Sequence, residues 1–114
     1  MPYISTKANV EISKEKEEII KEKFGKAIEL LPGKTETYLM LEFEENSRLW
    51  FGGDNSTPIA YVEVKIFGKA AKIHFDALTG SICKIINEEL DVPYDKIYVK
   101  YEEVEYWGWN GRNF

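Results

Sequence analysis

Two helical stretches limit what this chain can fold into, because each is bracketed by strand-like sequence at nearly the same spacing. In the first, Ile20, Phe24, Ala27, Ile28 and Leu31 recur at helical intervals and make one apolar face. Ser13 is placed to cap its first turn, and Pro32 with Gly33 ends it. In the second, Phe75, Leu78, Ile82, Ile85, Ile86 and Leu90 form the stripe. The spacing predicts that Gly68 opens this stretch, that it is helical by about Phe75, and that Asp91, Val92 and Pro93 break it.

The flanking segments alternate with period two. Along Pro2–Ala8, Ile4, Thr6 and Ala8 alternate with Tyr3, Ser5 and Lys7. Residues 37–44 predict a second strand, with Leu39, Leu41 and Phe43 on one side and Tyr38, Met40 and Glu42 on the other. A dense turn cluster at 52–58 precedes a third strand over 59–67, where Ala60, Val62, Val64 and Ile66 share a face. Residues 96–103 predict the fourth. The aromatic tail 106–114, broken by Gly108, Asn110 and Gly111, predicts a small hairpin or edge strand.

Strand-helix-strand therefore occurs twice, and Pro32 and Pro93 precede Tyr38 and Tyr98 at similar distances. The expectation is one α/β (α+β) domain over residues 1–114. Two βαβ units form a four-stranded mixed sheet with both helices on one face, and short hairpin strands follow at the C-terminal end. The other sheet face stays open and carries Tyr38, Met40, Ile59 and Tyr61. That face and the strand edges predict self-association with closed cyclic symmetry.

Composition excludes several function classes. A net charge of −5, with lysines interleaved among glutamates, leaves no dense basic patch for nucleic acid. No apolar run reaches membrane-spanning length, and no secretory signal pattern stands at the N-terminal end. The expected location is the cytoplasm, or outside the cell by a route without a signal peptide. Cys83 and His74 are the only residues of their kinds, so neither a zinc site nor a nucleophile–histidine pair is expected, and no cofactor. The aromatics, 3 Trp, 7 Tyr and 6 Phe, are many for 114 residues and suit a pocket or an interface.

Pro2 is the most informative single residue. A small second residue permits removal of Met1, which leaves a secondary amine at the terminus. An α-amino group titrates near ~7.7 to 8.0, and an apolar pocket lowers that value. The result is a free base near neutral pH without a histidine. While Met1 is attached, the Pro2 nitrogen is an amide and cannot act as that base.

An ordered set of short motifs runs the length of the chain. Met1-Pro2-Tyr3-Ile4 is followed by Pro32-Gly33-Lys34 with Tyr38, Phe51-Gly52-Gly53 and Phe67-Gly68-Lys69. Then come Asp95-Lys96-Ile97-Tyr98-Val99 and Gly108-Trp109-Asn110, with Phe114 last. This set resembles the macrophage migration inhibitory factor family. The resemblance implies a homotrimer with active sites between subunits, a small-molecule keto/enol substrate, and tautomerisation of aromatic α-keto acids such as phenylpyruvate. It implies Pro2 as general base and Lys34 as the residue that meets the substrate carboxylate, although a lysine here could instead complement a helix end. It implies a backbone contact at Phe67 and a neighbouring subunit's tyrosine at Tyr98. Tyr38, Trp109 and Phe114 become pocket or rim aromatics, with core or hairpin packing as the alternative.

Two departures bear on the implied function. Lys100, on the same side of its strand as Tyr98, stands where vertebrate members carry asparagine, and either adds a second pocket cation or points to solvent. Ile59-Ala60-Tyr61-Val62 replaces the Cys-x-x-Cys of the vertebrate cytokine, so thiol-disulfide activity is not expected there. The other function class open to such a chain is a cytokine-like or regulatory binding trimer with little catalysis, whose receptor the sequence does not name.

Overall fold

The computed structural model describes residues 1–114. Strand β1, Pro2–Ala8, leads to helix α1, Lys14–Ala27, whose last turn tightens into a 3-10 helix over Ile28–Leu30. Ser13 caps α1 as expected: its hydroxyl accepts the Lys16 N–H at 3.1 Å. Strand β2 is Met40–Glu44, β3 is Ala60–Phe67, helix α2 is Lys72–Leu90 and β4 is Ile97–Val104. Gly108–Trp109 and Arg112–Asn113, β5 and β6, make a terminal hairpin. Its turn residues Asn110 and Gly111 both have positive φ, 55° and 84°, the pattern of a tight two-residue hairpin loop.

The main sheet runs β2-β1-β3-β4. The outer pairs, β1 with β2 and β3 with β4, are parallel, while the central pair β1 with β3 is antiparallel. Each parallel pair is joined through a helix, so the two βαβ units lie side by side. Ile4, Thr6 and Ala8 of β1 align with Val64, Val62 and Ala60 of β3, all buried on the helix-covered face. Against them pack Ile20, Phe24 and Ile28 from the first helical stretch and Leu78, Ile82 and Ile86 from α2, each fully buried. Glu89 of α2 takes Lys23 at 2.8 Å and Lys16 at 3.2 Å, which ties the helices together at their solvent edge.

Three expectations change. The second strand starts at Met40 and not at residue 37, because Met40 pairs with Tyr3 and β1 has no residues to offer much beyond Pro2. Glu36–Tyr38 coils into a 3-10 turn instead, which lifts Tyr38 off the sheet. The second helix begins at Lys72. Gly68 belongs to the strand end, where its φ of 87° turns the chain and its N–H still reaches the Val104 carbonyl at 3.2 Å.

The open face is also more polar than expected, for Tyr38 and the buried Ile59 both lie outside the strands. Met40 and Tyr61 share that face with Glu42, Glu63, Lys65, Lys100 and Glu102. Tyr3 donates to the Glu42 carboxylate there, which raises the phenol's pKa, and Lys100 pairs with Glu102 at 3.0 Å. Cys83 is buried and unpaired, and burial pushes its thiol pKa up.

Candidate active site

Pro2 is buried at the head of β1, between β2 and β3, opposite Ile66. A terminal segment usually frays, but this one is inside a ladder. The Met1 carbonyl accepts the Phe67 N–H at 3.0 Å, so the strand is held one residue beyond Pro2.

Lys34 arrives from the turn after α1. Gly33, at φ 80°, reverses the chain, and the Lys34 N–H closes that turn on the Leu31 carbonyl at 3.0 Å. Its side chain does not fold back on the helix end. It crosses to the sheet and donates from Nζ to the Phe67 carbonyl at 2.9 Å. There it stands beside the terminal amine of Met1. That amine is pushed below its ordinary pKa, first by burial and then by the charge and hydrogen bonding of Lys34.

A cavity of about 620 Å³ opens at this point. Met1, Pro2 and Tyr3 bound it on one side, Tyr38 and Met40 on another, and Trp107 to Trp109 on a third. Its size suits a small organic molecule, and its walls are mostly apolar. A chain of aromatic contacts frames it. Tyr38 meets Trp109 edge-on with centroids 5.6 Å apart, Trp109 stacks on Phe114 at 6.2 Å, and Phe114 leans on Phe67 at 5.9 Å. The Phe114 N–H to Trp107 carbonyl bond, 3.0 Å, closes the hairpin that presents these rings.

Of the residues singled out in the sequence, Pro2, Lys34, Phe67, Tyr38, Trp109 and Phe114 therefore converge. Tyr98 and Lys100 do not. They pair with Tyr61 and Glu63, whereas Pro2 pairs with Ile66. Five residue steps along β3 lead from Tyr61 to Ile66, roughly 17 Å of strand. Tyr98 is 61% exposed, and its ring touches Phe51 at 5.1 Å. Lys100 is drawn to Glu102, whose hydrogen bond and charge raise the ammonium's pKa.

Tyr3, Met40 and Trp107 also line the cavity and were not picked out from sequence. Their signal lies in the register: Tyr3 faces Met40 across the β1–β2 pair, next to Pro2. No group of three or more His, Cys, Asp or Glu side chains is placed to hold a metal ion, and no helix is long and apolar enough to cross a membrane.

Comparison with known proteins places relatives over this whole frame. The family model described as macrophage migration inhibitory factor matches residues 1–114. The solved structure of MIF2 from Leishmania major is 31% identical with a TM-score of 0.92, covering 100% of this chain and 97% of that one. A macrophage migration inhibitory factor homologue from Prochlorococcus marinus is 33% identical with a TM-score of 0.87, covering 98% of each chain. The macrophage migration inhibitory factor of Xenopus laevis is 26% identical over 84 residues, 72% of each chain.

Proposed function

From the premise that this chain belongs to the macrophage migration inhibitory factor family, we propose that it is a keto-enol tautomerase for aromatic α-keto acids such as phenylpyruvate, with Pro2 as general base. The observation that carries this is that the Lys34 ammonium and the Phe67 backbone meet at the head of β1, beside a largely aromatic cavity bordered by Pro2.

Removal of Met1 makes the Pro2 nitrogen a secondary amine and frees the Phe67 N–H from its Met1 partner. Pro2 is buried beside the cavity, which keeps that nitrogen from water, and a cation at Lys34, which already lowers the pKa of the Met1 amine, would disfavour protonating it in the same way. In the reaction Pro2 takes a proton from the carbon next to the substrate carbonyl. The electron pair moves onto the carbonyl oxygen, and an enol forms when that oxygen gains a proton. The reverse sequence returns the ketone. Lys34 holds the substrate carboxylate, and the Phe67 N–H is placed to steady the negative oxygen as it develops. The substrate ring lies among Tyr38, Trp107 and Trp109.

The proposed working form is a homotrimer. Tyr98 and Lys100 are far from their own chain's Pro2 and well exposed, which supports their reaching the pocket of a neighbouring copy. Lys100 then adds a second cation near the substrate.

The test is turnover of phenylpyruvate, followed by enol absorbance, with protein whose N-terminal residue is verified as Pro2. Pro2→Gly should lose at least ~100-fold in kcat/KM, the usual share of a positioned acid–base group, while sedimentation still reports three chains. Unchanged turnover in that variant removes Pro2 from the chemistry, and a monomer by sedimentation removes the shared site.

A further inference from the structure

We propose a second binding site, on the helix layer: the groove between α1 and α2 takes a small amphiphile with one anionic head on a short alkyl chain, such as a medium-chain carboxylate. The groove shares no lining residue with the cavity at Pro2, so this site stands or falls apart from the tautomerase reading.

The two helices run in opposite directions, with Lys16 on Glu89 near one end of the seam and Leu30 across from Ser81 near the other. Glu89 closes the first end by holding both Lys16 and Lys23. Farther along, no such clasp follows, and a groove of about 390 Å³ opens. That volume lies within the range of small-molecule sites. Ala27 and Ile85, each 7% exposed, give it an apolar floor, and the exposed Leu30 extends that surface.

Lys26 from α1 and Lys84 from α2 stand over this floor, one from each wall. Their carboxylate partners, Glu22 and Glu88, are 4.0 and 3.9 Å away, too far for hydrogen bonds. Both ammoniums therefore keep their N–H donors for a ligand. Lys23 is different, for it is already spent on Glu89 at 2.8 Å. In a chain of net charge −5, two uncommitted cations across an apolar floor select an anion with an alkyl body. The Ser81 hydroxyl adds a neutral donor on the α2 wall. Glu88 is the one carboxylate that lines the groove, and it repels a head of higher charge. A singly charged head suits that balance.

The test is an NMR titration of the full chain, labelled at its isoleucine and leucine methyl groups, with decanoate below its micelle concentration. The Ile85 and Leu30 signals should shift and saturate, and should do so equally in Lys34→Met, which removes the cation of the other cavity. Decanoate should bind up to about 15-fold tighter than octanoate, from two methylenes at about fourfold each. Uncharged decanol should bind more weakly, and added salt should weaken decanoate relative to decanol. Lys26→Met combined with Lys84→Met should weaken decanoate by about 5- to 25-fold, the share of one or two exposed ion pairs, with phenylpyruvate turnover unchanged. The decanol and salt arms use the unmodified sequence and stand even if the variant folds poorly. Ile85 and Leu30 signals that do not move, decanol binding as tightly as decanoate, or shifts confined to the Pro2 cavity would each overturn the proposal.

Discussion

Replacing Lys34 with methionine tests the proposed site at its most connected point. The substitution keeps most of the apolar stem and removes the ammonium, and with it the 2.9 Å bond to the Phe67 carbonyl. The fold should tolerate this, because Lys34 lies in the turn after α1 and not in the core. Two functional effects follow. A charge-assisted hydrogen bond to the substrate carboxylate is worth about 1.5–3 kcal/mol, so kcat/KM for phenylpyruvate should fall by about 10- to 150-fold. The part that appears in KM measures ground-state binding, and the part in kcat measures help given to the enolate. The second effect is on pH. Lys34 holds the Met1 amine below its ordinary pKa, after burial; a cation in that place should act in the same sense on the Pro2 nitrogen once Met1 is removed, and the base works only when unprotonated. Removing the cation raises that pKa, so the acidic limb of the kcat/KM profile should move to higher pH. Burial of Pro2 remains in the variant, so its amine should stay below an unburied one. The assay is enol absorbance across pH 5 to about 9, bracketing the ordinary α-amino range. A profile that does not move, with kcat/KM within about twofold of the parent, would refute both roles.

Trp109→Ala removes the edge-on contact with Tyr38 and the stack on Phe114, so urea unfolding should report a loss of up to about 2 kcal/mol at about 1 kcal/mol per aromatic pair; the pair with a bound substrate ring goes too, and KM for aromatic substrates should rise about fivefold. Ile86→Ala opens a hole in the fully buried layer between α2 and the sheet, and urea unfolding should report a loss of about 3 kcal/mol. Glu89 is held below the usual carboxylate pKa by hydrogen bonds from Lys23 and Lys16. Its stabilising share is therefore present above the unfolded glutamate pKa and is lost as pH falls through the lower folded value. Glu89→Gln should have a lower urea midpoint than the parent at pH 7, and the gap should close under acid; a gap that is constant with pH would mean the contact is not ionic.

The two amphipathic helices were legible because burial on one side forces a 3.6-residue rhythm that no flanking strand shares. Ile20, Phe24 and Ile28, like Leu78, Ile82 and Ile86, sit where that rhythm puts them. The convergence of Lys34, Phe67 and Tyr38 with Pro2 was legible only as a motif order, since a lysine past a helix end has no local reason to seek a strand 33 residues away. The start of β2 was not legible. Alternation marks residues that can form a strand, but pairing decides which do, and β1 offers Met40 its first partner in Tyr3. Tyr3, Met40 and Trp107 were not singled out as site residues for a related reason. Which side chains border a cavity at a sheet end depends on register, and register is a relation between strands that neither carries alone.

The sheet order puts the first residues of the chain in an interior strand, gripped from both sides. Purification handles are commonly attached to that end because it is usually slack. Here an added leader would have to thread out past Trp109 and Tyr38, corking the cavity and converting Pro2 to an internal link. Under the proposed mechanism, an expression design that leaves even one extra residue at that end should yield folded protein without turnover, whereas a handle placed after Phe114, on the exposed hairpin, should leave the nitrogen free.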